Sequence, residues 1–147
     1  MIAVDTNLLI YAHREESEFH GAAKELVDGL RHGSAPWAIP WPCVHEFIGI
    51  ITRANLYQPP TKLKAALAAI DALAAGDNLH FLSESDGYFE KLRDLALTAN
   101  LSGPRIHDAR IAALCWHHGV RELWTADRDF SAFPQIKARN PLINQRG

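Results

Sequence analysis

Asp5, Glu46, Asp108 and Asp127 stand where an α/β chain can gather them. Asp5 follows the apolar run Ile2-Ala3-Val4, Glu46 and Asp108 lie in helical stretches, and Asp127 follows a late strand-like run. Brought into one cleft, they would form a hard-metal site suited to phosphodiester hydrolysis. Two carboxylates about 4 Å apart repel by about 4 kcal/mol at an effective dielectric of about 20, so such a cluster calls for cations. Ligand sets made only of oxygen select Mg²⁺ or Mn²⁺ over zinc, and those ions can hold both the attacking and the leaving oxygen of a phosphoryl group.

Elements that could position these residues can be read along the chain. Ile2 to Val4 is a short apolar run of the kind buried on both faces of a parallel sheet. A helix is expected from about Asn7 and another from Phe19 to Arg31, stopped by His32 and Gly33. Trp37 to Ile39 reads as a second strand closed by Pro40. Pro42 then opens a helix with Cys43, Phe47, Ile50, Ile51 and Ala54 on one face and Glu46 at its margin. Thr61 is expected to cap an Ala-rich helix ending near Gly76, and Leu79 to Leu82 to form a third strand. Ser85 or Asp86 should cap a helix reaching about Asn100. A helix from His107 to His118, closed by Gly119, precedes a strand from Glu122 to Thr125. Strands separated by helices imply an α/β fold with a largely parallel central sheet flanked by helices.

Ligands of open α/β sheets bind beyond the carboxyl ends of the strands, where Asp5 and Asp127 both fall. Each acid also has an ordinary structural reading. Asp5 could cap the following helix, although Asn7 could do so instead. Glu46 could bend to solvent, yet a carboxylate at the core edge is costly unless something pairs with it. Asp108 sits in a first helical turn, where the macrodipole alone favours an acid. In LWTADRDF the two acids Asp127 and Asp129 compete for the site; Asp127 is nearer the strand end, and Asp129 could cap the next turn.

The chain has 147 residues, a length suited to a single domain, 1-147. Its net charge of −2 gives no overall basic field of the kind common among nucleic-acid binders, although neutralising the four acids would take the balance from −2 to +2. Cys43 and Cys115 fall in apolar helical patterns and read as small buried hydrophobes rather than a disulfide. No run approaches the 18 apolar residues of a membrane span, and the N-terminal run is broken at Asp5, so a cytoplasmic location is the default expectation.

The pieces MIAVDTNLLIYA, PCVHEFIGI, SGPRIHDARIAAL and LWTADRDFSAF resemble, in order and separation, the four signature blocks of PIN-domain ribonucleases, specifically VapC-type toxins of type II toxin-antitoxin systems. The resemblance spans nearly the whole chain. It implies a small α/β/α domain, Mg²⁺ or Mn²⁺ dependence, endoribonuclease activity on an RNA substrate by metal-activated water, neutralisation by a small antitoxin, and a homodimer. Carried over residue by residue, Asp5, Glu46, Asp108 and Asp127 take the places of the catalytic, metal-binding acids. Thr6, Asn7 and Thr125 would orient carboxylates and water behind them, with Asp129 as a candidate fifth acid. Arg14, Arg105, Arg110 and Arg128, near the acids in sequence, are candidate RNA phosphate contacts.

Other chemistries fit less well. A zinc site fails because Cys115, His117 and His118 lack tetrahedral ligand spacing, and because position 49, after His45-Glu46, is Gly. A haloacid-dehalogenase-like phosphatase needs a second Asp two residues after the first, where this chain has Asn7. A protein-binding module could use Trp41, Leu56, Tyr57 and the Ala-rich helix as an apolar surface. An RNA-processing nuclease that is not a toxin would keep the same site.

Overall fold

The computed structural model describes residues 1–143. Five parallel strands form one sheet: β1 (Ile2–Val4), β2 (Trp37–Pro40), β3 (Leu79–Leu82), β4 (Glu122–Trp124) and β5 (Ala138–Arg139). Their spatial order is β3-β2-β1-β4-β5, so the chain grows outward from β1 on one side and then resumes on the other. The crevice between β1 and β4 is therefore the switch point of the sheet, where open α/β folds bind ligands. Among the described residues, six α-helices flank it: α1 (Thr6–His13), α2 (His20–His32), α3 (Trp41–Ile51), α4 (Leu63–Ala74), α5 (Tyr88–Thr98) and α6 (Ile106–His117).

The apolar runs become central strands because helices cover both faces of the sheet. Trp37, Ala38 and Ile39 point alternately to the two faces, and all three are fully buried. Ala3, Val4 and Leu123 behave alike, and Phe47, Leu114 and Phe130 close the layers above and below. Burying a side chain of this size removes enough apolar surface to contribute about 1.5–3 kcal/mol. The edge strand β3 alternates instead, leaving His80 exposed.

Several boundaries differ from the sequence expectation for identifiable reasons. The α3 helix ends at Ile51, with the Thr52 hydroxyl folding back on the Ile48 carbonyl at 2.8 Å, so Ala54 lies outside it and is exposed. Thr61 does not cap α4. Lys62 occupies that position without a side-chain bond, while the Thr61 hydroxyl accepts from Arg14 at 3.0 Å and meets His13 at 3.1 Å. Gly87, at φ 89°, takes the cap of α5, a left-handed conformation that glycine adopts without steric cost. Ser85 meets His117 Nε2 at 2.6 Å instead. Gly119, at φ 66°, follows α6 as expected. The short edge strand β5 was not anticipated, since two residues carry no readable periodicity.

Candidate active site

Asp5 follows β1 and caps α1, accepting the Thr6 backbone N–H at 2.7 Å, so its capping and cleft positions are the same position. The side chain is almost fully buried and receives two further donors: the Thr125 hydroxyl at 2.7 Å on Oδ2 and the Cys43 thiol at 3.5 Å on Oδ1. Burial still raises its carboxyl above the usual range against those bonds, and the nearby Glu46 charge adds to the rise. Burial and the Asp5 charge push the Cys43 thiol up as well, so it stays protonated and keeps its hydrogen to donate.

Thr125 is the junction of the switch point. Its hydroxyl donates to Asp5 and accepts the Asp127 backbone N–H at 3.0 Å, tying the end of β1 to the turn after β4. Asn7 makes a second tie, accepting the Ala126 N–H at 3.1 Å, which leaves helix capping to Asp5. On the other side the Thr6 hydroxyl donates to Glu46 Oε2 at 2.9 Å. Glu46 is exposed on α3, as a helix margin predicts, yet this bond holds one of its oxygens toward Asp5.

Asp127 caps a 3-10 turn, Arg128–Ala132, by accepting the Asp129 N–H at 2.9 Å. That bond turns both side chains toward α6. Asp108, Asp127 and Asp129 each offer a carboxylate oxygen, all within 4.8 Å of one another. Burial raises the Asp108 carboxyl, the charges of Asp127 and Asp129 raise it further, and Arg105 offsets part of the effect. Asp5, Thr6, Asn7, Glu46, Asp108 and Asp127 line one cleft of about 210 Å³, floored by Ile10, Ile111 and Phe130.

The four arginines separate. Arg14 lies at the far end of α1, about 13.5 Å along the helix from Asp5. Its guanidinium donates to Thr61, to the Pro59 carbonyl at 2.9 Å and to Glu16 at 2.7 Å, and stacks 4.5 Å from the Tyr57 ring centroid. Those contacts make it a clasp for the 52–62 loop. Arg110 pairs with Glu84 at 2.9 Å. Arg105 and Arg128 are exposed; Arg128 lines a second hollow, of about 320 Å³, shared with Asp127, Ser131 and Arg139. The Cys43 thiol was missed as a partner of Asp5 because its place on an apolar stripe reads as packing alone.

A family model described as the PIN domain matches residues 2–136. Ribonuclease VapC43 of Mycobacterium tuberculosis is 31% identical over 145 residues, covering 99% of this chain and 98% of that protein. The chain is a PIN-domain protein of the VapC ribonuclease family. Ribonuclease VapC48 of the same organism is 28% identical over 138 residues, 94% of this chain and 95% of its own length. Among solved structures, VapC20 of Mycobacterium tuberculosis, described as a sarcin-ricin loop cleaving toxin, superposes with a TM-score of 0.66 at 19% identity, covering 93% of this chain and 99% of its own. FitAB bound to a DNA fragment gives a TM-score of 0.68 at 18% identity, covering 99% of this chain and 98% of its own. At those identities the superpositions establish the fold, an α/β/α PIN domain with a parallel five-stranded sheet. The expected fold class and family are thereby met.

Proposed function

We propose that this VapC-family protein is a Mg²⁺- or Mn²⁺-dependent endoribonuclease and the toxin of a toxin-antitoxin pair. The observation that carries the reading is the convergence of Asp5, Glu46, Asp108 and Asp127 on one cleft, with Asp129 beside them. The donor set fits a hard cation: every candidate ligand is a carboxylate oxygen, and three of them crowd within 4.8 Å of one another. Asp108, Asp127, Asp129, Asp5 and Glu46 would hold the ion, which when bound would lower the pKa of a water for attack on phosphorus and stabilise the leaving 3′ oxygen.

The remaining steps belong to the chain. Thr125, Thr6 and Cys43 fix the Asp5 carboxylate so that it does not swing when charge is brought to it, and a fixed carboxylate orients a ligand at no cost of reorganisation. Asp127 is held by its own cap bond. Arg128 and Arg105, exposed at the rim, are the arginines still placed to receive phosphates, whereas Arg14 is committed elsewhere. No protein nucleophile is required.

The partner is inferred from neighbours of the same fold that were solved as complexes, among them VapBC-1 of Haemophilus influenzae and VapBC2 of Rickettsia felis. A small antitoxin would silence the cleft, and the toxin would act as a homodimer in the cytoplasm. No helix among the described residues is long and apolar enough to cross a membrane. The test is cleavage of total cellular RNA by the purified chain, with 5′-end sequencing of the products. Cleavage should need Mg²⁺ or Mn²⁺, stop in chelator, leave 5′-phosphates, and vanish in Asp5→Asn. Equal cleavage by Asp5→Asn would refute the site. Cleavage without growth arrest on induction would leave a processing nuclease that is not a toxin.

A further inference from the structure

Beside the acid cleft lies the hollow of about 320 Å³, and the two share a wall, because Asp127 lines both. The hollow opens beyond the carboxyl ends of β4 and β5, the side of an open α/β sheet on which ligands bind. Strand register builds it. Trp124 pairs with Arg139, and the Thr125 N–H donates to the Arg139 carbonyl at 2.9 Å, so Asn140 comes level with the residue whose hydroxyl holds Asp5. The 3-10 turn after Asp127 adds Arg128 and Ser131.

The chemistry of the hollow differs from that of the cleft. Asp127, at the boundary, is the one acid among the described residues that line the hollow, whereas Asp5, Glu46, Asp108 and Asp127 all line the cleft. Among the described residues Arg128 has no ion-pair partner, unlike Arg14, Arg110 and Arg139, which are held by Glu16, Glu84 and Glu122. Asn140 spends its Oδ1 on the Leu142 N–H at 3.0 Å, which leaves its amide hydrogens to donate. Ser131 keeps an exposed hydroxyl. One uncommitted guanidinium with further donors beside it matches a phosphate group, which offers charge and acceptor oxygens.

We infer that this hollow is a subsite for the RNA phosphate next to the scissile one, with Arg128 meeting its charge and Asn140 and Ser131 donating to its oxygens. The inference rests on the nuclease reading of the acid cleft. A scissile phosphate among carboxylates depends on their cation. The next phosphate along the strand needs positive charge from the protein itself, and Arg128, one residue past Asp127, supplies it. Because the two depressions share Asp127, a strand seated in the hollow delivers the adjoining phosphodiester to the acids. Arg128 binds and positions substrate, and the acids perform the chemistry.

The experiment uses the full chain and a short fluorescent single-stranded RNA, bound in chelator. In a matched series one linkage at a time, beside a 2′-deoxy sugar, is a charge-neutral methylphosphonate in place of the phosphodiester. Wild type, Arg128→Gln, Arg128→Lys and Asn140→Asp are compared. Arg128 is exposed, so its replacement leaves no buried group unpaired, and Asn140→Asp keeps the acceptor for Leu142 while putting a negative charge in the hollow. Arg128→Gln should weaken intact RNA about tenfold, the size of one charge-assisted contact, and flatten the slope of log affinity against log salt by about 0.7. Arg128→Lys should recover part of the loss, and Asn140→Asp should weaken binding by a factor similar to that of Arg128→Gln. One neutral linkage should weaken wild type by the same factor and leave Arg128→Gln unchanged, and it should adjoin the linkage that wild type cuts in Mg²⁺. In Mg²⁺, Arg128→Gln should raise KM with kcat within about twofold. Effects that add at every linkage, coupling at the scissile linkage itself, or unaltered binding by Asn140→Asp would overturn the subsite. Because binding is read without catalysis, failure of the nuclease reading would appear separately, as a wild type that binds RNA and does not cut it in Mg²⁺ or Mn²⁺.

Discussion

Neutralising Asp108 should make the metal-free protein more stable while disabling it. Its carboxylate lies within 4.8 Å of those of Asp127 and Asp129. A pair of unit charges at that separation repels by about 3.5 kcal/mol at an effective dielectric of 20 and by about 1 kcal/mol under full water screening. Asp108 and Asp127 are half-buried and Asp129 is exposed, so screening dominates and the two repulsions together come to about 2 kcal/mol. Against this, Asp108 occupies the first turn of α6, where losing a negative charge forfeits about 0.5 kcal/mol of macrodipole interaction. Asp108→Asn should therefore gain about 1.5 kcal/mol in chelator, or about 5 °C in Tm for a chain of this length. Millimolar Mg²⁺ should reverse the order, because an ion that binds only the folded state adds RT ln(1 + [L]/Kd), which reaches about 2.7 kcal/mol at one hundred times Kd. Calorimetry of both proteins in chelator and in Mg²⁺, paired with RNA cleavage, reads all of this. If Asp108→Asn melts lower in chelator, or gains as much from Mg²⁺ as the wild type, the three acids are not a strained cation site.

Thr125→Val keeps the shape but deletes the hydroxyl that joins Asp5 to the Asp127 backbone; cleavage should fall about 10–100-fold, and Thr125→Ser should restore it. Glu122, nearly buried at the start of β4, is pushed up by burial but held below its ordinary pKa overall by Trp124 and Arg139, with the Lys137 charge assisting. A depressed folded-state pKa gives stability that is fully present above the unfolded value of about 4.5 and is lost as pH falls through the folded one. Glu122→Gln should cost about 1–2 kcal/mol at pH 7 and show a flatter loss of stability below pH 4.5, read by urea titration at several pH values. Arg14→Ala should release the 52–62 loop, cost about 1 kcal/mol and raise amide exchange there, with RNA cleavage unchanged; a drop in RNA affinity would return Arg14 to the substrate path.

Much of the fold is legible in the chain because the central strands are buried on both faces. Ile2-Ala3-Val4 and Trp37-Ala38-Ile39 have no polar residue to spare for solvent, as strands covered on both faces require. Helix ends were less legible. Thr61 and Ser85 have the chemistry of caps, yet Arg14 and His117, distant in sequence, claim their hydroxyls. A cap competes with every other partner that folding brings near, and sequence shows only the local competitor.

The same division runs through the site. Local pattern alone placed Asp5 and Asp127 at strand ends, Asp108 in a first helical turn and Glu46 at a helix margin, and the family blocks strengthened the reading of Glu46 and Asp108. Tertiary structure decided their grouping. Asp129 stands with Asp108 and Asp127 because the cap bond to Asp127 turns the chain, and Glu46 is drawn inward by a threonine forty residues away. It also showed that Cys43, which reads as filler, donates to Asp5, and that Arg14, which reads as a phosphate contact, clasps a loop. Local pattern fixes where a side chain starts, because periodicity acts over a few residues. Its charge and hydrogen bonds are satisfied by whatever packing brings within about 3 Å, and that is a property of the folded chain alone.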